Sequence, residues 1–363
     1  MRCTAPILLA IGLCAAAPTT SLAQQRTVNF YNWSDYIDPT VIDSFTRETG
    51  IKVRYDTFDS NDTLETKLLA GKSGYDVVVP TGYFLERQIK AGVFLKLDKT
   101  KLPNLANQWP EIAKRLASYD PGNQYAANYM WGTTGIGYNV AKAKAAFGGP
   151  IDSWDVVFKP ENLAKFKDCG VHMLDSADDI MPAALNFLGI DPNSLEQADL
   201  EKATDLMLKL RGNVRKFHSS EYLNALAGGE ICLVVGWSGD IKQAQKRAAE
   251  ARNGVAVGYV IPKEGAQMFF DNLAIPKDAR NVAEAHELIN YLLRPEVAAK
   301  STNYLGYANG DTPNPQLIDK AVLDDRTVYP DAATLAKLYT ISARDQKAQR
   351  LINRLWTRIK TGK

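Results

Sequence analysis

The sequence predicts a mixed α/β protein built as two lobes. A chain of 363 residues is too long for one comfortable core and long enough for two domains of ordinary size. Stretches typical of buried strands alternate with amphipathic helices early in the chain, and the same alternation returns in the second half. Hydrophobic residues make up 45% and charged residues 23%, a composition that excludes wholesale disorder.

The first part of the chain after the leader predicts strand, helix, strand, helix, strand with parallel pairing. "TVNFYNW" turns Val28 and Phe30 to one side, which is typical of a strand. A helix follows, with Asp38 as its N-cap, Pro39 in its first turn and Gly50 at its end. "IKVRYDTF" predicts a second strand, "DTLETKLLAG" a helix and "YDVVVP" a buried third strand.

The second half predicts a similar alternation. "GVHMLD" indicates a strand, "DIMPAALNFLG" and "LEKATDLMLKLRG" indicate helices, and "EICLVVGWSGD" indicates a strand that stops at a Gly-rich turn before the helix "IKQAQKRAAEAR". "VAVGYVIP" and "MFFDNLAIP" are extended, whereas "VAEAHELINYLLRPEVAAK" predicts one long amphipathic helix. The last segment, "ATLAKLYTISARDQKAQRLINRLWTRIKTGK", is predicted to be helical with a basic, solvated face. No low-complexity linker separates the halves, so we expect the chain to cross between lobes more than once.

Residues 1–23 predict a secretory signal peptide. One arginine precedes an apolar stretch over 7–17, and a Ser-Leu-Ala sequence ends at Ala23. The apolar stretch is too short to span a bilayer. Cys14 leaves a lipoprotein alternative open, although Leu13 precedes it where a small residue is expected.

Removal of the leader would leave two cysteines, Cys169 and Cys232. In an exported protein they indicate one disulfide, with two buried free thiols as the alternative. A zinc site needs ligands at close spacing, but His172, His218 and His286 are scattered, so we predict no metal and no cofactor. The net charge of +2, without a basic run interleaved with aromatic residues, argues against a nucleic-acid-binding protein.

Aromatic and acidic residues follow four of the predicted strands. Ligands bind beyond the carboxyl ends of strands in open parallel sheets, so these residues are expected to meet at one site. Carboxylates attract cations, while aromatic faces attract ammonium groups and cover methylenes, which together favour a cationic, partly aliphatic small molecule. The strand-end residues are Trp33, Ser34, Asp35 and Tyr36; Thr81, Gly82 and Tyr83; Asp175 to Asp179; and Trp237, Ser238 and Asp240.

Three enzyme interpretations fit less well. "GWSGD" over 236–240 lies between a strand and a helix like a nucleophile elbow, but Asp240 stands where that motif requires glycine. Asp178 and Asp179 are adjacent, so they are expected to cap the following helix and not to face each other as a glycosidase pair. "GTTGIG" over 132–137 is interpreted as a Gly-rich turn without a phosphate loop. We therefore predict that the protein is not an enzyme, with a secreted hydrolase as the alternative of another class.

Eight motifs occur in order along the chain: "YNWSDYI", "FDSNDTLETKLLAG", "YDVVVP", "MWGTTGIGYN", "FHSSEY", "GEICLVVGWSGD", "IPKEGAQMFFDNLAIP" and "INYLLRPEVAAK". A chain with these motifs in this order resembles the periplasmic polyamine-binding proteins of ABC importers, closest to their putrescine-binding members. The resemblance implies a class II periplasmic binding fold, two α/β lobes with a ligand cleft between them. The lobe boundaries are expected near 24–130 plus 252–300 and 131–251 plus 301–363. It also implies a periplasmic monomer that delivers a polyamine to a membrane permease, and a bond between Cys169 and Cys232.

The resemblance also implies a set of ligand-contacting residues. Together with Tyr83 after the third strand they are Trp33, Ser34, Asp35, Tyr36, Thr81, Asp179, Ser219, Trp237, Asp240, Arg247, Phe269, Asp271 and Tyr307. The aromatic members would enclose the alkyl chain, and Asp240 and Asp271 would pair with ammonium groups. Ser34 and Asp35 would help at one end, while Arg247 would orient carboxylates, since a cation facing the ligand would repel it.

Three positions bear on which polyamine is preferred. Putrescine-type relatives carry serines after the third strand, where this chain has Thr81, Gly82 and Tyr83, and a tyrosine there resembles spermidine-preferring relatives. Asp179 is one methylene shorter than the glutamate of the putrescine type, and it would act directly or through water. Phe269 resembles the putrescine type. Putrescine is therefore predicted as the ligand, with a spermidine-preferring or broad polyamine binder and a polyamine sensor as alternatives.

Overall fold

The computed structural model describes residues 25–362, so the predicted signal peptide at 1–23 lies outside the described residues. Over that described range, no helix combines the length and the apolar character needed to cross a membrane.

Ten strands within residues 25–362 form one mixed sheet. In chain order they are β1 (Thr27–Trp33), β2 (Lys52–Phe58), β3 (Val77–Val78), β4 (Ala126–Asn139), β5 (Val171–Met173), β6 (Lys216–Phe217), β7 (Leu233–Trp237), β8 (Val257–Val260), β9 (Met268–Ala274) and β10 (Ala308–Asn309). The hydrogen-bonded order is β2-β1-β3-β9-β4-β7-β5-β6, and β8 and β10 also pair with β4. β1 is parallel to β2 and β3, which confirms the predicted opening, and β5 is parallel to β6 and β7.

Helices cover the sheet and connect its strands. In chain order they are α1 (Pro39–Thr49), α2 (Asn61–Leu69), α3 (Gly82–Lys90), α4 (Pro110–Leu116), α5 (Val140–Phe147), α6 (Asp155–Phe158), α7 (Pro160–Leu163), α8 (Ala177–Phe187), α9 (Gln197–Leu210), α10 (Tyr222–Ala227), α11 (Ser238–Ala251), α12 (Val282–Leu292), α13 (Pro295–Leu305), α14 (Lys320–Leu323), α15 (Ala332–Leu335) and α16 (Gln346–Thr361). The predicted ends of α1 are confirmed, since the Asp38 side chain accepts a hydrogen bond from the Thr40 amide and Gly50 adopts a left-handed conformation.

Two apolar cores flank the long strand β4, which is shared between them. One core draws on residues 28–130 and 269–307, and the other mainly on 131–268 and 308–359, with side chains from α3 and α4. The first part of β4 pairs with β9, and from Thr134 onward it pairs with β7 and β8. The two cores correspond to two lobes. β8 packs in the second core, however, whereas the sequence placed 252–300 in the first lobe. We therefore propose that the chain passes from the second lobe back to the first near residue 268.

The predicted long helix after β9 is wrong in one respect, because the segment forms two helices. α12 ends at Leu292 and α13 begins at Pro295. Proline lacks the amide hydrogen that an uninterrupted helix needs, and it disfavours the helical conformation of the residue before it. Arg294 is accordingly extended, with φ −68° and ψ 132°. The break lets the chain return toward β4 as β10.

The C-terminal segment is also less helical than predicted. It contains only α15 and α16, because residues around Tyr339 lie alongside Gln267 in a parallel bridge. The predicted Gly-rich turn over 132–137 is wrong as well, since these residues lie within β4. Gly132 is needed there because a Cβ would come within 2.8 Å of the Phe269 ring.

The disulfide between Cys169 and Cys232 is confirmed, with their Cα atoms 5.6 Å apart. Each cysteine lies just before a strand, β5 and β7 respectively, and these strands are paired in parallel. The bond therefore joins the amino-terminal ends of two neighbouring strands in the second lobe.

Candidate functional site

A cleft of about 840 Å³, including its open mouth, lies where the two lobes meet. The ends of β1, β3 and β7, the strand β9 and the start of α8 supply its walls, as expected for residues beyond strand ends. Every predicted ligand-contacting residue except Arg247 lines it, namely Trp33, Ser34, Asp35, Tyr36, Thr81, Tyr83, Asp179, Ser219, Trp237, Asp240, Phe269, Asp271 and Tyr307. The structure thus brings together residues that are far apart in the sequence.

Five aromatic rings form the apolar walls, and they come from both lobes. Trp33 and Trp237 meet edge to face with ring centroids 5.8 Å apart, and Trp237 lies 6.4 Å from Phe269. Phe269 in turn lies 6.3 Å from Tyr307, which packs 4.9 Å from Tyr36. Such a cage covers methylene groups and presents ring faces and edges with directional electrostatic potential.

Asp271 is a buried carboxylate with only neutral hydrogen-bond donors. It is 4% exposed. The hydroxyl of Tyr36 donates to its Oδ2 at 2.8 Å, and the hydroxyl of Thr81 donates to its Oδ1 at 2.6 Å. Burial raises the pKa of Asp271 to about 7; these two hydrogen bonds oppose the shift, and the charges of Asp179 and Asp240 add to it. The ionised form therefore lacks a positive partner among the described residues around it.

Asp240 has a similar environment in the other lobe. The hydroxyl groups of Tyr222 and Tyr307 donate to its two carboxylate oxygens at 2.6 and 2.7 Å. Burial raises the pKa of Asp240 to about 6, the two tyrosine hydrogen bonds oppose the shift, and the charge of Asp35 adds to it. Asp240 is placed there because β7 ends at Trp237 and α11 begins at once, without the predicted Gly-rich turn.

Asp179 supplies a third buried carboxylate, from the first turn of α8. Its Oδ1 accepts hydrogen bonds from the Thr134 hydroxyl at 2.5 Å and from the Trp237 indole at 3.2 Å. Burial raises the pKa of Asp179. The predicted capping role of this residue and Asp178 is wrong: no side chain caps α8, and Asp178 instead forms a buried ion pair with Arg344.

Arg247 lies outside the cleft and contacts its rim. Its guanidinium donates to Asp35 Oδ1 at 2.8 Å and to Asn224 at 2.7 Å. Asp35 has a positive φ of 52°, a conformation that non-glycine residues seldom adopt, and its backbone carbonyl accepts a hydrogen bond from Gln243 at 3.2 Å. The turn after β1 is thus held against α11 of the other lobe.

Smaller polar groups complete the cleft. Thr81 precedes α3 and also accepts a hydrogen bond from the Asn61 side chain at 2.9 Å. The Ser34 hydroxyl donates to the Phe58 carbonyl at 3.2 Å. Tyr83 is 7% exposed, and burial raises its pKa well above the ordinary value. Ser219 lines the rim.

Sequence reasoning missed Tyr222, Thr134, Asn61 and Gln267. All four lie within motifs that were recognised, but their contacts are between segments distant in sequence, and no local pattern encodes them. Among the described residues, the side chains lining the cleft include eight aspartates and no lysine or arginine. One of the eight, Asp178, is already paired with Arg344. The aspartates are Asp35, Asp59, Asp62, Asp175, Asp178, Asp179, Asp240 and Asp271. Across residues 25–362, no cluster of His, Cys, Asp and Glu side chains is arranged to hold a metal ion.

Comparison with known proteins gives consistent matches over nearly the whole chain. The family model of bacterial extracellular solute-binding proteins matches residues 40–327. The putrescine-binding periplasmic protein PotF of Escherichia coli K12 is 52% identical over 98% of this chain and 97% of its own length. A putrescine/agmatine-binding protein of Pseudomonas aeruginosa is 43% identical over 98% of this chain and 97% of its own. The solved structure of the spermidine/putrescine transporter substrate-binding protein PotD of Streptococcus pneumoniae is 31% identical, covering 93% of this chain and 99% of its own, with a TM-score of 0.75.

Proposed function

Since the chain belongs to the bacterial extracellular solute-binding proteins, we propose that it is a periplasmic receptor that binds putrescine or a closely related polyamine. The fold is that of periplasmic binding proteins, as predicted. The observation that carries the proposal is a cleft with aromatic walls and three buried carboxylates, Asp179, Asp240 and Asp271, whose hydrogen bonds come from neutral donors. Relatives named for putrescine binding support it further.

The site would bind a diamine through two kinds of contact. The aromatic rings would cover the methylenes, and Asp271 and Asp240 would each accept hydrogen bonds from an ammonium group. Hydrogen bonds to charged groups contribute roughly 1.5–3 kcal/mol each, more than neutral ones, so the carboxylates would supply much of the selectivity for cations. Asp179 would assist directly or through water.

Ligand binding would join the lobes, because the two main carboxylates lie on different ones. Asp271 and its donors Tyr36 and Thr81 belong to the first lobe, while Asp240 and Tyr222 belong to the second. A ligand that contacts both would stabilise a closed cleft and exclude water. The ion pair between Asp35 and Arg247 would form as the rims approach.

The remaining features of the proposal follow from the family. The leader at 1–23 would direct export, and the mature monomer would deliver its ligand to the permease of an ABC importer in the inner membrane. Tyr83 favours a second candidate within the same class, a spermidine-preferring or broad polyamine binder. A sensor that docks on a membrane receptor would use the same cleft.

Titration calorimetry on refolded, ligand-free protein tests the proposal. We expect saturable binding of putrescine, compared in parallel with cadaverine, agmatine, spermidine and spermine. Asp271→Asn serves as the site control and should bind putrescine at least ~tenfold more weakly, because it removes a charged acceptor. Heat effects no larger than dilution for all five amines would contradict the proposal, and turnover of ester, amide or glycoside substrates would favour the hydrolase.

A further inference from the structure

Gln267 lines the cleft but was not among the residues predicted from the sequence. It immediately precedes β9, and Phe269 and Asp271 follow it at intervals of two residues. Alternate residues of an extended chain point to the same side, and all three line the cleft. Along about 13 Å of backbone this row therefore presents an amide, an aromatic ring and a carboxylate.

Backbone pairing places Gln267 at the Asp179 end of the cleft. The Gln267 carbonyl accepts a hydrogen bond from the Thr134 amide at 3.0 Å. The hydroxyl of the same threonine donates to Asp179 Oδ1 at 2.5 Å. Asp179 and Gln267 are thus held by one residue of β4, at the opposite end of the row from Asp271.

The side chain of Gln267 has an unmet acceptor. The residue is 1% exposed, and its Oε1 has no hydrogen-bond partner among residues 25–362. Buried amide oxygens are nearly always hydrogen-bonded, and leaving one unpaired is unfavourable. The oxygen has almost no accessible surface, and a half-turn of the terminal amide, which exchanges Oε1 and Nε2, would present it to a donor carried by a ligand in the cleft that Gln267 lines.

We propose that Gln267 is a ligand-contacting residue that determines specificity at the Asp179 end. Its side-chain carbonyl accepts a hydrogen bond from the nitrogen at the end of the ligand remote from Asp271. The inference rests on the proposed polyamine function and adds a neutral acceptor beside the Asp179 carboxylate. An ammonium or guanidinium group has several N–H donors, so this end can engage more than one of them.

Two substitutions at Gln267 test the inference by effects of opposite sign. Gln267→Met keeps the length but removes the acceptor, so putrescine and agmatine should bind roughly tenfold or more weakly. Gln267→Glu adds a charge and should bind both amines more tightly than the wild-type protein at pH 8. A residue needed only for packing would lose affinity in both variants.

The matched control is Tyr339→Phe. Tyr339 pairs with Gln267 through the backbone, and its hydroxyl is also buried without a partner among the described residues. If the Gln267 side chain accepted a hydrogen bond from this hydroxyl and not from the ligand, Tyr339→Phe would weaken ligand binding as much as Gln267→Met. We expect wild-type affinity for Tyr339→Phe.

The same titrations separate this inference from the proposed function. Calorimetry would include Asp271→Asn, and circular dichroism and ligand-free melting would establish that each variant is folded. Wild-type affinity in both Gln267 variants, with loss in Asp271→Asn, would overturn the role of Gln267 alone. Absence of amine binding by the wild-type protein would overturn the proposed function itself.

Discussion

Replacing Asp271 by asparagine should weaken putrescine binding at least ~tenfold more than replacing Asp179 by asparagine, where about 1.4 kcal/mol corresponds to one decade. Asp271 is 4% exposed and accepts two hydrogen bonds from neutral hydroxyls, so its full negative charge is available to an ammonium group. Removing that charge loses a charge-assisted hydrogen bond of roughly 1.5–3 kcal/mol, and it leaves the buried ammonium underpaired.

Putrescine affinity should be less sensitive to the substitution of Asp179, and the reason is structural. Asp179→Asn retains an oxygen that can accept from Thr134 and Trp237, its present donors. The carbonyl of Gln267 also remains at that end. The substitution therefore removes only the second oxygen of Asp179 and leaves the proposed side-chain acceptor of Gln267 in place, and a water between the shorter aspartate and the ligand would screen its charge further.

Calorimetric titration of both variants with putrescine at pH 8 measures the difference. Ligand-free melting provides the control, and Asp271→Asn should melt no lower than the wild-type protein because it removes a buried charge without a positive partner. If both asparagine variants are folded and bind putrescine equally well, the placement of the principal ammonium site at Asp271 is wrong.

Three further predictions concern pH, closure and the disulfide. Burial raises the pKa of Asp271 from 3.8 to about 7, so its contribution to the stability of the protein without ligand is present below pH ~4 and lost as pH rises through ~7. Putrescine affinity should rise over the same range. Calorimetry in buffers of different ionisation enthalpy should show proton release on binding at pH 6 but little at pH 8.5. Arg247→Met, which removes the exposed pair with Asp35, should speed ligand dissociation at most about fivefold, and stopped-flow showing a hundredfold change would contradict this small role. Reduction of Cys169–Cys232, which closes a separation of 63 residues, should lower the unfolding free energy by about 4 kcal/mol, and denaturant titration with an unchanged midpoint would refute it.

Much of the fold could be predicted because its signals are local. The alternation in β1 and the cap and terminator of α1 are readable within a few residues, and the structure confirms them. The break at Pro295 was also local, but the apolar periodicity across it favoured one helix. β4 could not be recognised as a strand over 132–137 because its glycines indicate a turn. These strand positions are glycines because Phe269, Tyr259 and Ile241 approach the backbone too closely for a side chain.

The candidate site could also be predicted only in part from the sequence. Strand ends indicated where Trp33, Thr81 and Trp237 would meet, since the carboxyl ends of the strands converge. Two donors to the carboxylates, Tyr222 and Thr134, were not predicted, because each lies in a different segment of the chain from the aspartate that it contacts.

The hydrogen-bond donors help to explain how three carboxylates can be buried together in the cleft. Each of Asp179, Asp240 and Asp271 receives hydrogen bonds from uncharged groups, which orient the oxygens without neutralising them. A lysine or arginine in the same place would stabilise the unliganded cleft and compete with an ammonium ligand. Burial raises the pKa values of all three carboxylates, and the neutral donors oppose that shift only in part, so Asp240 and Asp271, with pKa values of about 6 and about 7, hold protons at moderately acidic pH. A dicationic ligand would replace those protons, so the proposed affinity for amines and the raised pKa values would have the same physical cause.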